Sequence, residues 1–401
     1  MYEKIKRLKD FSFSGKKVVM RADFNVPFDK KTREITSAKR IEAALPTIRY
    51  ILDNGAASLV LMSHLGKPEK LAKEGKEYKQ SQSLDIVADQ LSKLLGTDVS
   101  LVKDYFENSP KPGSRVSLLE NTRFYYQMEQ AKDDASREKF AKILASYGEI
   151  FINDAFGTAH RKEASVYDIA KFLPSGIGFL IDKEIAELSK LLVNPAKPYI
   201  ALLGGAKVED KIEVIKALSE KVDYILIMGA MEFAFEKAKG LNVGNSLCEG
   251  VEIAKQALSS DYASKIILPV DTVIAKKEGD NFTDIRTVAA GSIPEGYAGL
   301  DIGPKTVDLI TAKCKAAKTI LWNGPAGLFE VPPFEKGTYA IVHALAKLGN
   351  TRIVGGGDSA AVVEETGLDS KFTHVSTGGG ASLEYIQYGR LPALDILENK
   401  K

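Results

Sequence analysis

Short runs of β-branched and aliphatic residues recur along this chain, and the intervals between them decide what it can fold into. In order they are KKVVMRADF, SLVLMSH, VSLLEN, IFINDAF, YIALLGG, YILIMGA, KIILPVD, TILWNG, RIVGGGD and FTHVST. Runs that stay apolar instead of alternating suit strands covered on both faces, as in parallel sheets. Segments of helical period stand between them, such as AKRIEAALPTIRYILDNG, where Gly55 is placed to end the helix, and VEDKIEVIKALSEKV. Alternating strand and helix predicts an α/β architecture.

At 401 residues the chain exceeds what one hydrophobic core usually supports, so two domains are expected. The rhythm breaks at AKFLPSGIGFLIDKEIAELSKLLVNPAKP, residues 170–198, where Pro174, Gly176 and Gly178 precede an amphipathic helix closed by NPAKP. The predicted fold is two doubly wound, Rossmann-like parallel-sheet lobes joined by a hinge helix.

Charge narrows the partners. With Lys+Arg 55 against Asp+Glu 53, the net charge of +2 creates no broad field for nucleic acid or an anionic membrane, so any anion must be held locally. The start, MYEKIKRLKD, lacks an apolar leader core and no run is long enough to span a bilayer, so a cytoplasmic location is expected. Cys248 and Cys314 stand alone, which argues against a disulfide framework or structural zinc and predicts buried thiols.

In open parallel sheets, ligands bind beyond the carboxyl ends of the strands. In the first half those ends carry Asp23, Asn25, His64, Lys67, Arg123, His160 and Arg161. Separated guanidinium and imidazole groups suit a small, highly charged phosphate or carboxylate. In the second half the ends are GGAK (204–207), WNGPAG (322–327), GGGDS (355–359) and STGGG (376–380). Turns without Cβ atoms let backbone N–H groups approach a polyphosphate. Asp358 would repel such a phosphate unless a divalent cation lay between them, and magnesium suits one carboxylate plus phosphate oxygens. Taken singly, each feature also has a plain reading: Asp358 as a helix cap, either arginine as a surface ion pair, His64 as a core imidazole, Asp23 and Asn25 as a turn. Lys207 and Lys211 are read four apart at the start of a helix, where the macrodipole disfavours cations and an anion would be needed to meet them. Neither G-x-G-x-x-G after a strand nor G-x-x-x-x-G-K-[ST] occurs, which weakens dehydrogenase and P-loop readings.

RADFNVP, LMSHLGKP, NDAFGTAHR, LLGGAKVEDK, LDIGPKT, WNGPAGLFE, GGGDSAA and HVSTGGGASLE follow one another in this order. With them the chain resembles phosphoglycerate kinase from about Lys17 to Leu394. The resemblance implies reversible phosphoryl transfer between 1,3-bisphosphoglycerate and MgADP, giving 3-phosphoglycerate and MgATP, by a monomer with ATP or ADP as co-substrate. It implies a triose lobe at 1–180 to which 388–401 returns, and a nucleotide lobe at 181–387 that carries the linking helix. Closure would hinge near 173–184 and 383–391. The triose site would comprise Asp23, Asn25, Arg40, His64, Lys67, Arg123 and Arg161. The nucleotide site would use Gly205, Ala206, Lys211, Gly299, Asn323, Pro325, Glu330, Gly356, Gly357, Asp358 and Ser359, with Asp358 holding Mg2+. Arg40, Lys207, Gly357 and Gly380 would surround the transferring group.

LLENTRF with Thr122 and AHRKEAS with the Lys162-Glu163 pair depart mildly from the family pattern, with no change of activity expected, and two further places depart more strongly. Lys67 stands in SHLGKP where relatives commonly have SHLGRP, a point charge in place of a planar fork. Met228-Gly229-Ala230-Met231-Glu232-Phe233 stands where the family reads GGGMAF near the adenine. Met228 either covers the purine or is ordinary core at the end of a strand. The competing reading is a two-lobed protein that closes on a phosphorylated ligand without chemistry; it would need neither the second, glycine-rich rim nor a magnesium-binding acid.

Overall fold

The computed structural model describes residues 2–106 and 113–399. Residues 1, 107–112 and 400–401, which the expected first lobe includes, lie outside them. The chain divides into two compact units, Met1–Ala186 with Arg390–Lys401, and Glu187–Gly389.

The first unit holds six strands, β1 (Lys17–Ala22), β2 (Ser58–Met62), β3 (Val99–Val102), β4 (Val116–Leu119), β5 (Ile150–Asp154) and β6 (Ser175–Ile177). They form one sheet in the order β3-β4-β2-β1-β5-β6, with every pair parallel. The central strands are buried along nearly their whole length, which is why their sequences do not alternate. β1 lies between β2 and β5, and Arg21 is level with Met62 and Asn153, so the residues after all three strands emerge along one edge.

The second unit repeats the plan. After β7 (Tyr199–Leu203), β8 (Tyr224–Ile227) and β9 (Asn242–Val243) come β10 (Ile266–Ile267), β11 (Asp271–Glu278), β12 (Asn281–Ala289), β13 (Ser292–Ile293) and β14 (Ala298–Ile302), and last β15 (Thr319–Asn323), β16 (Thr351–Gly355) and β17 (His374–Val375). The main sheet runs β10-β8-β7-β15-β16-β17, all parallel. Its register sets Leu203, Asn323 and Gly355 side by side, so Gly204, Gly324 and Gly356 line the carboxyl edge in a row. Side chains could not replace the first two: a Cβ on Gly204 would lie 2.0 Å from the Pro325 carbonyl, and one on Gly324 would lie 2.2 Å from that of Gly204.

A small antiparallel sheet, β12-β11-β14, stands apart from this plan. The run KIILPVD, expected as one parallel strand, contributes only Ile266–Ile267 to the main sheet, and β11 departs from Asp271. Pro269, which lacks an N–H, falls at the break.

Helix Phe179–Leu192 carries the chain across the boundary between the units. Its start is held by the first unit: Asp154 Oδ1, at the end of β5, accepts the N–H groups of Leu180 and Ile181, and Thr47 Oγ1 accepts that of Phe179. The first unit therefore extends six residues beyond the expected position 180. The chain rejoins it at Arg390, two residues past the expected 388. There the Tyr2 hydroxyl bonds Asp395 at 2.8 Å, and the Ala393 N–H bonds the Ala159 carbonyl at 3.1 Å. No helix of the described residues is long and apolar enough to cross a membrane. Cys314 is buried and Cys248 is partly buried.

Candidate active site

In the first unit the expected residues gather where β1, β2, β4 and β5 end. Asp23 Oδ2 accepts a 2.5 Å bond from Arg40 Nη1, and Asp23 Oδ1 accepts the Asn25 N–H. Asn25 Oδ1 takes the Gly66 N–H at 2.8 Å, which ties the end of β1 to the loop after β2. Arg123 is buried; Nη1 donates to the Gly66 carbonyl and Nη2 to Glu163 at 3.1 Å each, while its Nε has no partner. Arg161 reaches the same Glu163 oxygen at 3.4 Å. Lys67 is exposed, just before helix Pro68–Lys73.

His64 is buried, with Arg21 Nη2 3.0 Å from its Nδ1. Guanidinium nitrogen can only donate, so His64 Nδ1 accepts and a neutral ring carries its proton on Nε2. Burial, followed by the charges of Arg123, Arg21, Arg161 and Arg40, holds the imidazole well below its ordinary pKa. The plain reading of His64 as a hydrogen-bonded imidazole is thus true of Nδ1 and leaves Nε2–H as a donor.

Sequence reasoning passed over the layer behind these groups. Arg21 is fully buried in β1, donates to Ser165 Oγ through Nε, and faces a Glu129–Ser165 pair. Burial pushes the Glu163 carboxyl up, but Arg123, Arg21 and Arg161 together bring it below its usual range. Glu129 goes the other way, raised by burial and by the charge on Glu163. Glu163 therefore sits as a carboxylate among the guanidinium groups of Arg123, Arg21 and Arg161. The signal for this layer was present in KKVVMRADF: an arginine inside a buried strand demands partners.

In the second unit a cavity of about 430 Å³ opens beyond the ends of β7 and β15. Among the expected residues, Gly205, Ala206, Gly299, Pro325, Glu330 and Asp358 line it. Phe233, Leu300, Leu328 and Phe329 give it apolar walls, and Lys277 and Phe282 come from the antiparallel sheet. Met228 is fully buried in the hydrophobic core of the second unit and is not among the residues that line the cavity.

Other expected residues stand behind this lining. Lys211 Nζ bonds Asn323 Oδ1, and burial lowers its pKa to about 8 against the pull of Asp210 and Asp358. Helix Ile212–Ser219 starts one residue later, so Lys211 is its cap and Lys207 lies in the preceding loop, not four residues back on a helix. Lys207 is exposed and ion-paired to Glu249 at 2.7 Å.

Gly356, with φ 95, precedes helix Gly357–Glu365. First-turn N–H groups have no carbonyl within their own helix, so Gly357, Asp358 and Ser359 present donors at the cavity's edge. Asp358 lies within the first turn and Gly356 is the cap. The Ser359 hydroxyl is committed: it accepts the Gly324 N–H at 3.0 Å and donates to the Gly355 carbonyl at 2.7 Å, which leaves only its backbone for a ligand. Gly380 is exposed in the first turn of helix Gly379–Tyr388.

Glu232, at the second position of helix Met231–Ala238, is 1% exposed and also lines the cavity. Burial first, then Glu236, Asp301 and Asp271, raise its pKa well above the ordinary range. A helix N-terminus favours a carboxylate by about 0.3–1 kcal/mol. Leaving a buried charge unpaired costs several, so the neutral acid prevails.

No group of three or more His, Cys, Asp or Glu residues among the described ones could hold a metal by itself. A lone Asp358 still fits magnesium, which completes its shell with phosphate oxygens and water.

Comparison with known proteins agrees with this geometry. A family model described as phosphoglycerate kinase matches residues 8–388. The phosphoglycerate kinase of Thermosipho africanus is 47% identical over 409 residues, spanning 98% of both chains. That of Chlorobium phaeobacteroides is 47% identical over 408 residues, spanning 98% of this chain and 99% of the relative. Among solved structures, phosphoglycerate kinase from Coxiella burnetii superposes with a TM-score of 0.81 at 35% identity, and that from Pyrococcus horikoshii OT3 with 0.82 at 33%; each comparison covers 98% of both chains. Identity at this level over the full length, on the same two-sheet architecture, makes the chain a member of the phosphoglycerate kinase family.

Proposed function

We propose that this enzyme reversibly transfers a phosphoryl group between the acyl phosphate of 1,3-bisphosphoglycerate and MgADP, giving 3-phosphoglycerate and MgATP. The observation that carries the reading is the pairing of two unlike sites on one chain: a cation-rich rim in the first unit and a glycine-edged, apolar-walled cavity with one acid in the second.

His64 Nε2–H and the forks of Arg123 and Arg161 would hold the triose, with Asn25, Lys67 and Asp23 around them. Gly205, Ala206, Gly299, Pro325 and Glu330 would seat the nucleoside. The N–H groups from Gly357 to Ser359, with Lys211 and Asn323, would receive the phosphates. Asp358 would hold Mg2+, which neutralises phosphate charge when bound. Arg40 and Lys207, with the N–H groups of Gly357 and Gly380, would surround the phosphoryl group in flight.

This chemistry needs no catalytic base, because the accepting carboxylate is already ionised at neutral pH. The barrier is one anion meeting another, and positioned cations and amide dipoles lower it. Arg40 must exchange Asp23 for the phosphoryl group, and Lys207 must leave Glu249. Transfer also requires the ligands to meet with water excluded, so hinge motion near 173–184 and 383–391 is part of the proposal. A cytoplasmic monomer completes it, checked by sedimentation and cell fractionation.

The test is ATP consumption in the presence of magnesium, followed with and without 3-phosphoglycerate. Turnover that requires both supports the assignment. Tight binding of the triose with no ATP consumed would favour the binding-protein reading.

A further inference from the structure

The loop after β2 carries His64 and Lys67, and the peptide between Leu65 and Gly66 is held at both ends. Its N–H donates to Asn25 Oδ1 at 2.8 Å, and its carbonyl accepts from Asn121 Nδ2 at 2.8 Å. The next carbonyl, that of Gly66, accepts from Arg123 Nη1 at 3.1 Å. Gly66 holds φ 64, in the left-handed region that glycine reaches freely, so the backbone alone does not fix this path. Asn25 and Arg123 belong to the expected triose site. The third side chain of the grip, Asn121, was not among the residues expected from sequence.

Asn121 is fully buried and both ends of its amide are engaged. Nδ2 donates to the Leu65 and Gln82 carbonyls at 2.8 Å each, and Oδ1 accepts the Arg123 N–H at 3.1 Å. These partners fix the orientation of the amide, because the reverse would set its oxygen against two carbonyls and its NH2 against an N–H. One side chain therefore bonds the backbone of Arg123 and the backbone between His64 and Lys67. Its own main chain is anchored from behind. Glu120 Oε1 accepts the N–H groups of Asn121 and Leu84 at 2.8 Å each, and Glu120 Oε2 accepts the Ser83 hydroxyl at 2.7 Å.

We propose that Asn121 is a positioning residue for the triose site: it sets the spacing of the Arg123 guanidinium from the His64 and Lys67 donors without touching substrate. This rests on the triose-binding reading above. A small anion held by separated donors depends on their spacing, and a misplacement of about 1 Å can cost about a hundredfold. A buried carbonyl that loses its donor must find another, so without Asn121 the loop moves. His64 and Arg123 would hold the triose both before and during transfer, so the loss should fall on triose affinity and not on kcat.

The experiment compares Asn121→Ser and Asn121→Asp with the wild type. Serine can still accept the Arg123 N–H but is too short to reach either carbonyl. Ionised aspartate keeps the shape of the amide and loses its donors. Each variant should raise the KM for 3-phosphoglycerate about tenfold or more, with the KM for MgATP within about twofold and kcat within about threefold of wild type. Ile51→Val, in the core of the same unit where the chain approaches the start of β2, controls for stability: it should melt lower and keep both KM values. A normal triose KM in folded Asn121→Ser would reduce the amide to a local cap, and equal rises in both KM values would reduce it to general support; either overturns the proposal. A titration of wild type needs no variant: 3-phosphoglycerate should shift the backbone amide NMR signals of Gly66 and Arg123 together with the side-chain NH2 signals of Asn121. NH2 signals that stay in place would also overturn it. Failure of wild type to bind the triose would refute the proposed reaction instead. Crystal structures of the ligand-free wild type and Asn121→Ser then decide the present claim, which predicts the 64–67 loop displaced relative to Arg123 and fails if the loop is unmoved.

Discussion

Arg21 Nη2 lies 3.0 Å from His64 Nδ1 at the buried carboxyl edge of the first sheet, so the imidazole accepts on that side and can donate only from Nε2. A donor to a phosphate or carboxylate is obtained here without adding a titrating charge.

His64 should therefore stay neutral across the physiological range. Its folded pKa is depressed, so its contribution to stability is complete above the unfolded value of about 6.5 and is lost as pH falls from there toward the folded value. NMR of the ring protons should show no His64 titration between about pH 6 and 8. His64→Gln should flatten the acid side of the stability profile relative to wild type.

Arg40 is half-buried and its guanidinium pairs with Asp23 at the rim, so its removal should spare the fold. Arg40→Ala should lower kcat by about 10²–10³, the usual loss for one transition-state donor, with an unchanged circular dichroism spectrum. Near-normal turnover in the folded variant would remove Arg40 from the transferring group.

Lys207 gives the matching expectation from the second unit. Its partner Glu249 is exposed, so Lys207→Ala should hardly shift the melting temperature while lowering kcat by about a hundredfold or more. Glu249→Gln separates the roles: if the ion pair competes with catalysis, turnover holds or rises.

Lys211 tests the desolvated cation. Its pKa is about 8 in the fold against 10.5 for the free side chain, so the unfolded chain binds more protons between those values and stability rises with pH across that window. Lys211→Met should remove this rise, seen as a melting-temperature difference between variant and wild type that shrinks from pH 7.5 to pH 10. The same variant should bind MgADP more weakly.

Much of this layout is legible in sequence, and the failures have physical causes. Uniformly apolar runs such as YIALLGG and TILWNG revealed central parallel strands because both faces of each are buried. β12 is mostly exposed and has no such run, so the antiparallel sheet went unread, and with it Lys277 and Phe282 on the cavity wall. The two-residue link Gly279-Asp280 between β11 and β12 was the available hairpin signal. Arg21 escaped notice, and Glu163 was legible only as a mild departure beside Arg161, because a buried network is defined by partners distant in the chain, which no local pattern displays. The same is true of Glu232, where the sequence showed a departure and only the fold shows its burial among other acids.

The most direct test is rapid-quench transfer from γ-labelled MgATP with 3-phosphoglycerate present. Cooperation of the two cationic and glycine-edged sites predicts label on the acyl phosphate of 1,3-bisphosphoglycerate, absent without the triose and strongly reduced in Arg40→Ala and Lys207→Ala. Label released only as inorganic phosphate, or transferred equally well by both variants, would contradict it.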